Sequence, residues 1–276
     1  MAFRTAGLLD ARSRLIDPAD PAASRKEIDA IEEHAIEASI LKVFGSEMLY
    51  VTADETLQIF GGAGYIEDYP IERVSRDARI NRIFEGTNEI NRLLVPGTLL
   101  KRALTGRLGL MALVGQVQQE LADPDRIDRR VAEGPLGLER QMCDFAKRAV
   151  AYGASLGVQK YMQKISEKQE LLGVLADCLI QIFAMDSAIT RALQLVRSKG
   201  EEASRIPLYM TQLFVARSYE SVFDMLREML MWMSQAEAWG REIRDINHYY
   251  ELHRLNTFSL RRKIALHTIE AGGYAL

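Results

Sequence analysis

The sequence predicts an all-α fold, and three observations carry that reading. Apolar residues recur at three- and four-residue spacings through most of the chain. No stretch sustains the strict apolar–polar alternation of a half-buried strand. Glycine and proline are sparse, 19 and 7 of 276 residues, which leaves room for few turns and favours long regular elements. Net charge narrows the function classes: 35 basic against 38 acidic side chains, a net charge of −3, exclude a binder that reaches nucleic acid by charge alone. At 48% hydrophobic and 26% charged residues, the composition is that of a folded globular chain rather than a disordered or membrane-spanning one.

Helical periodicity begins at once in MAFRTAGLLDARSRL, with no cap ahead of Phe3 and neither a signal nor a transit pattern, so the opening reads as the interior of a longer protein. Ser24 with Glu27 has the spacing of a capping box, and Ile36, Ile40, Val43, Met48 and Val51 then predict one long helix as far as Gly61-Gly62. Pro70 opens a shorter helix through IERVSRDARI, and Gly86 breaks the chain again. Thr87 can cap a helix from Asn88 to Val95, which Pro96-Gly97 should interrupt before Leu99 to Leu104.

Residues 106–137 carry Asp123-Pro124-Asp125 and Gly134-Pro135 as turn punctuation and read as a linker between a domain at 1–105 and another at 138–276. Their apolar run, Leu108 to Val117, is too short to span a bilayer and reads as a bundle cap in preference to a peripheral membrane contact. Leu138, Met142, Phe145, Ala149, Tyr152 and Leu156 then form a heptad seam. After a second capping-box pattern, Ser166 with Gln169, the seam continues through Leu172, Leu175, Leu179, Ile182 and Ile189 with Asp186 as its polar break. Lys199-Gly200 closes that helix. Pro207 opens the next, which carries Met225, Met229 and Trp232 up to Gly240, and Ile246, Tyr250, Leu260 and Ile264 mark a last one. Four antiparallel helices with short connections predict a bundle.

Two places could hold chemistry. Gln58 to Tyr65 is glycine-rich but follows a helix, so it fails as a dinucleotide fingerprint, and by itself it reads as a helix end that turns close to a neighbour. Glu85 stands on a corner between Phe84 and Gly86; apolar flanks would lift its pKa towards that of a general base, whereas most turn glutamates are simply solvated. The basic residues Arg73, Arg76, Arg79 and Arg82 read as ion-paired, with Glu72 and Asp77 close by. His253 and His267 lie too far apart to meet on one helix, and no metal site is expected. Cys143 and Cys178 lie inside helical patterns without metal or redox spacing and read as inert thiols.

The order of these motifs is more specific than any one of them. LQIFGGAGYIEDYPIERVSRDARINRIFEGTNEINRLL, residues 57–94, resembles the C-terminal helical domain of the acyl-CoA dehydrogenases, with its Gln-x-x-Gly-Gly-x-Gly, Arg-Asp and Glu-Gly-Thr succession. LLGVLADCLIQIFAMDSAITRA resembles the extra C-terminal domain of the very-long-chain branch. The resemblance implies a helical bundle of the family's C-terminal type followed by the second four-helix bundle. It implies FAD as cofactor, approached by Gln58, Gly61 and Gly62 on its adenosine-diphosphate side and by Thr87 on the flavin side. It further implies Glu85 as the base that removes the α-proton of a long-chain acyl-CoA, with Phe84 and Gly86 flanking the substrate. Glu89 stands where medium-chain members often carry glutamine, and no role is transferred to it.

An electron-transfer flavoprotein as acceptor, a homodimeric assembly with 138–276 lying over 1–105, and a bacterial cytoplasmic or eukaryotic mitochondrial location complete what the resemblance implies. The family's N-terminal helical domain and β-domain are not in this sequence, so the isolated chain is expected to be inactive. A stand-alone helical interaction or assembly module is the alternative reading.

Overall fold

The computed structural model describes residues 1–251 and 255–274, and among them the regular structure is helical throughout. The chain divides into two compact units, Met1–Arg102 and Ala103–Leu276. His253 lies outside the described residues.

The first unit contains α1 (Ala2–Ser13), α2 (Ala23–Glu33), α3 (Ala35–Phe60), α4 (Ile71–Ile80) and most of α5 (Asn88–Leu104). The long helix expected over residues 24–60 is two helices, α2 and α3, which meet at His34. A tertiary contact stabilises the break: Arg102 donates from Nη2 to the carbonyls of Glu32, at 3.2 Å, and Glu33, at 2.7 Å, at the C-terminus of α2, where intrahelical partners run out. Nor does Ser24 cap α2. The helix begins at Ala23, one residue earlier, after an Asx turn in which the Asp20 carboxylate accepts from the Ala22 N–H at 2.8 Å.

α5 also departs from expectation, running unbroken through Pro96. A proline at that point removes one backbone hydrogen bond and costs on the order of 3 kcal/mol. The helix is pinned on both sides of the fault, upstream by an Arg92–Glu47 ion pair at 2.8 Å and downstream by Arg102 on α2. Those anchors and fully buried Val95 hold the two halves as one continuous helix.

α3 ends at Gly61, whose φ of 59° and ψ of −143° suit only glycine, and a 3-10 turn follows over Gly61–Tyr65. Gly64 is buried in that turn; a Cβ there would lie 2.8 Å from both the Leu57 carbonyl oxygen and the Phe60 Cβ.

The second unit is built on α7 (Gly137–Tyr161), α8 (Gln169–Lys199) and α9 (Arg205–Met233), each packed on the other two. The expected seams are here: Met142, Phe145, Ala149 and Tyr152 are buried on α7, as are Leu172, Leu175, Ile182 and Ile189 on α8. Asp186, the polar break, meets Lys147 of α7 at 3.2 Å. α8 is long and apolar enough to cross a membrane, but it packs on both α7 and α9 in the core of this unit. Gly153 lets α7 approach α9, because a Cβ there would sit 2.8 Å from the Met229 Cε.

The boundaries around this core follow tertiary contacts. Residues 106–137 contain α6 (Leu110–Ala122), which packs on α7 through buried Val117 and Glu120. α8 starts after a 3-10 turn with Lys168 at its N-cap, so the Ser166–Gln169 box does not form. α9 stops at Met233, where Lys160 of α7 donates to the Met233 carbonyl, and Gly240 lies inside α10 (Ala236–Asn247). Ile246 and Leu260 therefore belong to different helices, α10 and α11 (Thr257–Glu270), the latter packed on α9.

A buried polar cluster ties the turn after α10 to the bundle. Tyr249 donates to Glu120 at 2.8 Å, Arg148 pairs with the same carboxylate at 3.1 Å, and Tyr219 donates to the Tyr249 carbonyl at 2.7 Å. Burial first, and then the bond to Glu120, push the Tyr249 hydroxyl above its ordinary pKa.

Two outcomes test the first unit. Gly64→Ala should lower its stability by about 1–3 kcal/mol through overpacking, whereas Gly62→Ala, with nothing within 4 Å of its Cβ position, should leave it within about 0.5 kcal/mol; urea titrations of the two variants make the comparison. The second outcome concerns acid. Burial would raise the Glu47 pKa, but the hydrogen bonds from Arg92 and Asn88 outweigh it and hold the carboxyl below 4.5. A carboxyl whose pKa is lower folded than unfolded stabilises the fold above the unfolded value, and loses that contribution as pH falls through the folded one. The melting temperature of the first unit should therefore fall below about pH 4.5, and Glu47→Gln should flatten that slope.

Candidate functional site

Between α4 and α5 the chain makes a tight corner with Glu85 at its tip. The Asn88 N–H donates to the Arg82 carbonyl at 3.1 Å, closing the segment on itself. Both residues at the tip are left-handed, Glu85 at φ 53° and Gly86 at φ 80°. Glycine occupies that region freely, but for a glutamate it costs about 1 kcal/mol or more, so the surroundings must hold the corner in place. Phe84, Glu85 and Gly86 are all exposed. Of the two readings of this glutamate, the flanks among the described residues fit the solvated one, because Ile83 and Phe84 are themselves 50% and 45% exposed. Thr87 caps α5 as expected, accepting from the Ile90 N–H at 3.3 Å. The Glu89 carboxyl is held below its ordinary pKa by its own backbone N–H and then by the Thr87 hydroxyl.

Side chains of α3 supply the support. Lys42 donates from Nζ to the Gly86 carbonyl at 2.5 Å and to the Asn88 Oδ1 at 2.8 Å. Asn88 is fully buried, and its amide nitrogen donates to Ser46 at 3.0 Å and to Glu47 at 3.1 Å. Arg92 holds both carboxylate oxygens of Glu47 in a two-point ion pair, sharing Oε1 with Asn88, and Asn91 donates to the Gly86 carbonyl at 2.9 Å. None of these residues was legible as functional. Lys42 and Ser46 share a helix face by their i, i+4 spacing, but an asparagine next to an N-cap has the pattern of a surface residue.

Gln58, Gly61 and Gly62 form a second group, at the opposite end of α3. Gln58 is exposed, and neither glycine has an atom within 4 Å of where a Cβ would stand. The neighbouring element suggested by the glycine-rich pattern is not what these glycines meet: Gly64 turns back against Leu57 and Phe60 at the end of α3 itself. Lys42, which touches the Glu85 corner, precedes Gln58 by sixteen residues of continuous helix, about 24 Å at 1.5 Å per residue. Phe84, Glu85, Gly86 and Thr87 thus share one corner, and Gln58, Gly61 and Gly62 another.

Within the arginine row the expected ion pairing is seen at Arg76. Arg76 pairs with Glu72 at 2.8 Å, and Arg82, beyond the end of α4, lies with its Cζ 5.9 Å from the Tyr50 ring. Among the described residues no three His, Cys, Asp or Glu side chains converge as a metal site would require. Both cysteines are buried, and burial pushes the Cys178 thiol up.

Residues 22–100 match the family profile described as acyl-CoA dehydrogenase, C-terminal domain, and residues 145–241 match a second profile of the same description. A probable acyl-CoA dehydrogenase of Bacillus subtilis (strain 168) is 34% identical over 274 residues, 99% of this chain and 46% of that protein. The mitochondrial very long-chain specific acyl-CoA dehydrogenase of Rattus norvegicus is 34% identical over 180 residues, 58% of this chain and 27% of that protein. The crystal structure of an acyl-CoA dehydrogenase complexed with FAD from Bacillus anthracis superposes with a TM-score of 0.93 at 34% identity, covering 99% of this chain and 46% of that one. The chain thus spans about half the length of its full-coverage relatives. The matched segments and the helical architecture agree, and the chain belongs to the acyl-CoA dehydrogenase family as its C-terminal helical domain followed by the additional C-terminal domain.

Proposed function

We propose that this chain is the C-terminal part of an FAD-dependent acyl-CoA dehydrogenase that converts long-chain acyl-CoA to trans-2-enoyl-CoA, with Glu85 as the base. The observation that carries the reading is the left-handed Glu85-Gly86 corner, exposed at its tip and anchored at its root. An α-proton next to a thioester is too weakly acidic for a carboxylate unless the carbonyl is polarised. In this reading the Glu85 carboxylate takes the α-proton while the Glu85 N–H donates to the thioester oxygen. The chemistry that FAD supplies when bound is acceptance of the β-hydride. Phe84 and Gly86 flank the thioester from the same corner.

The residues assigned to FAD suit such a ligand. Gly61 and Gly62 present bare backbone to open space, which a pyrophosphate or ribose could approach closely. The Gln58 side chain is free to donate and accept beside them. Thr87 lies at the other group, where a flavin ring would stand near Glu85. The separation of about 24 Å along α3 supports a homodimer in which Gln58, Gly61 and Gly62 serve the mate's cofactor and Thr87 serves its own. Exposed Phe3, Ile59, Tyr65 and Ile90 support the same assembly, because they offer apolar surface to further domains or to a second copy. An electron-transfer flavoprotein is the acceptor that completes the cycle.

Two measurements bear on this reading. In the FAD-loaded enzyme that carries this chain, Glu85→Gln should retain FAD and acyl-CoA but slow flavin reduction by roughly 10²–10⁴-fold in stopped flow. Near wild-type reduction would place the base elsewhere. The 276-residue chain alone should purify colourless, since two exposed corners cannot enclose most of a ligand of that size. A yellow product with stoichiometric FAD would show that these residues suffice.

A further inference from the structure

We infer that Lys42 is the positioning residue for the Glu85 corner: its ammonium, on the Gly86 carbonyl and the Asn88 side chain, sets the angle between the Glu85 N–H and the Glu85 carboxylate. The inference rests on the proposed role of Glu85 and extends it to a residue outside the motif.

In that role both polar groups facing the thioester come from one residue. The rotation φ at Glu85, together with its side-chain rotamer, decides where the carboxylate points relative to the N–H. At 53° this φ lies in a region that a glutamate leaves when unrestrained. The corner cannot relax toward ordinary backbone without moving the two peptides that follow, and the carbonyl of the second, on Gly86, is held twice. Lys42 reaches it at 2.5 Å and Asn91 at 2.9 Å. Of the two, Asn91 is local, five residues away on the helix that the corner itself begins, so it moves with the corner. Lys42 is forty-four residues away on α3 and supplies the external reference.

The same ammonium binds the Asn88 Oδ1 at 2.8 Å, an oxygen that also accepts from Ser46 at 3.2 Å. Asn88 is fully buried and its backbone N–H closes the corner onto Arg82. Lys42 therefore grips both the tip and the root, which a neutral side chain of the same length could fill but not hold. Three donors on a flexible stem suit it to two acceptors at different angles. A guanidinium can satisfy both acceptors, but only in a different geometry.

Hydrogen exchange on the 276-residue chain and stopped flow on the FAD-loaded enzyme that carries it test this together. Lys42→Met should speed amide exchange in residues 86–91 while amides of α7 to α9 keep their protection. In the loaded enzyme it should lower the rate of flavin reduction by roughly tenfold to a hundredfold, with KM and FAD content within about twofold. Lys42→Arg should recover part of the rate, and Lys42→Gln provides a second neutral variant should Lys42→Met fail to fold. Unchanged exchange in residues 86–91, or a reduction rate within twofold of wild type in both neutral variants, overturns the positioning role. Equal loss of rate and FAD content, with Lys42→Arg giving no recovery, overturns it in favour of a purely structural role. Glu85→Gln separates a failure of positioning by Lys42 from a failure of the base assignment. If that variant is inactive while the Lys42 variants are not, positioning by Lys42 fails alone; if it too reduces flavin normally, the assignment of Glu85 fails.

Discussion

The candidate site depends on one buried carboxamide. Asn88 carries no exposed surface, and its side chain is shared among Lys42, Ser46 and Glu47 of α3. Leaving one such buried group unpaired costs about 1–3 kcal/mol, so the geometry around it is strongly preferred. Because Asn88 is also the first residue of α5, fixing its side chain fixes where that helix begins, and with it the end of the Glu85 corner. The strained backbone at the tip is held by ordinary hydrogen bonds formed elsewhere.

Glu47 connects this arrangement to the rest of the first unit. It accepts from Asn88 and pairs with Arg92, which lies one turn before Pro96 in α5. Arg102, one and a half turns after that proline, closes the gap between α2 and α3. Two arginines of a single helix thus stabilise two irregularities, a proline within α5 and a break in front of α3. The polar side chains on the inner faces of these helices set their positions, and the exposed tip at Glu85 inherits that rigidity.

The second unit solves a similar problem with different residues. Its three long helices pack through apolar seams, but the turn after α10 has little apolar content of its own. Tyr219, Tyr249 and Glu120 hold it, with Arg148 balancing the carboxylate. Tyr219 also accepts from the Glu251 N–H at 3.0 Å and stacks on Tyr250 at a ring separation of 5.7 Å, so a single phenol serves both sides of the turn.

By itself, the sequence determined much of what depends on neighbours within about four residues, although the two capping boxes, of that same spacing, do not form. The all-α class, the seams on α7 and α8, the glycine stop at Gly200 and the Thr87 cap are all of that kind, and spacing and residue type were enough to find them. The Glu85 corner was legible as a break, and the role proposed for it comes only from the resemblance of residues 57–94 to a family. Tertiary structure alone decided that the helix expected from Ser24 breaks at His34, that Pro96 does not break α5, and that residues 106–137 hold a packed helix. It also decided which polar residues are buried. The reason is sequence distance: Asn88 meets Glu47 across 41 residues and Tyr249 meets Glu120 across 129. Local spacing carries no trace of either pairing, because a polar residue bound for the interior has the same pattern as one bound for water until its partner arrives.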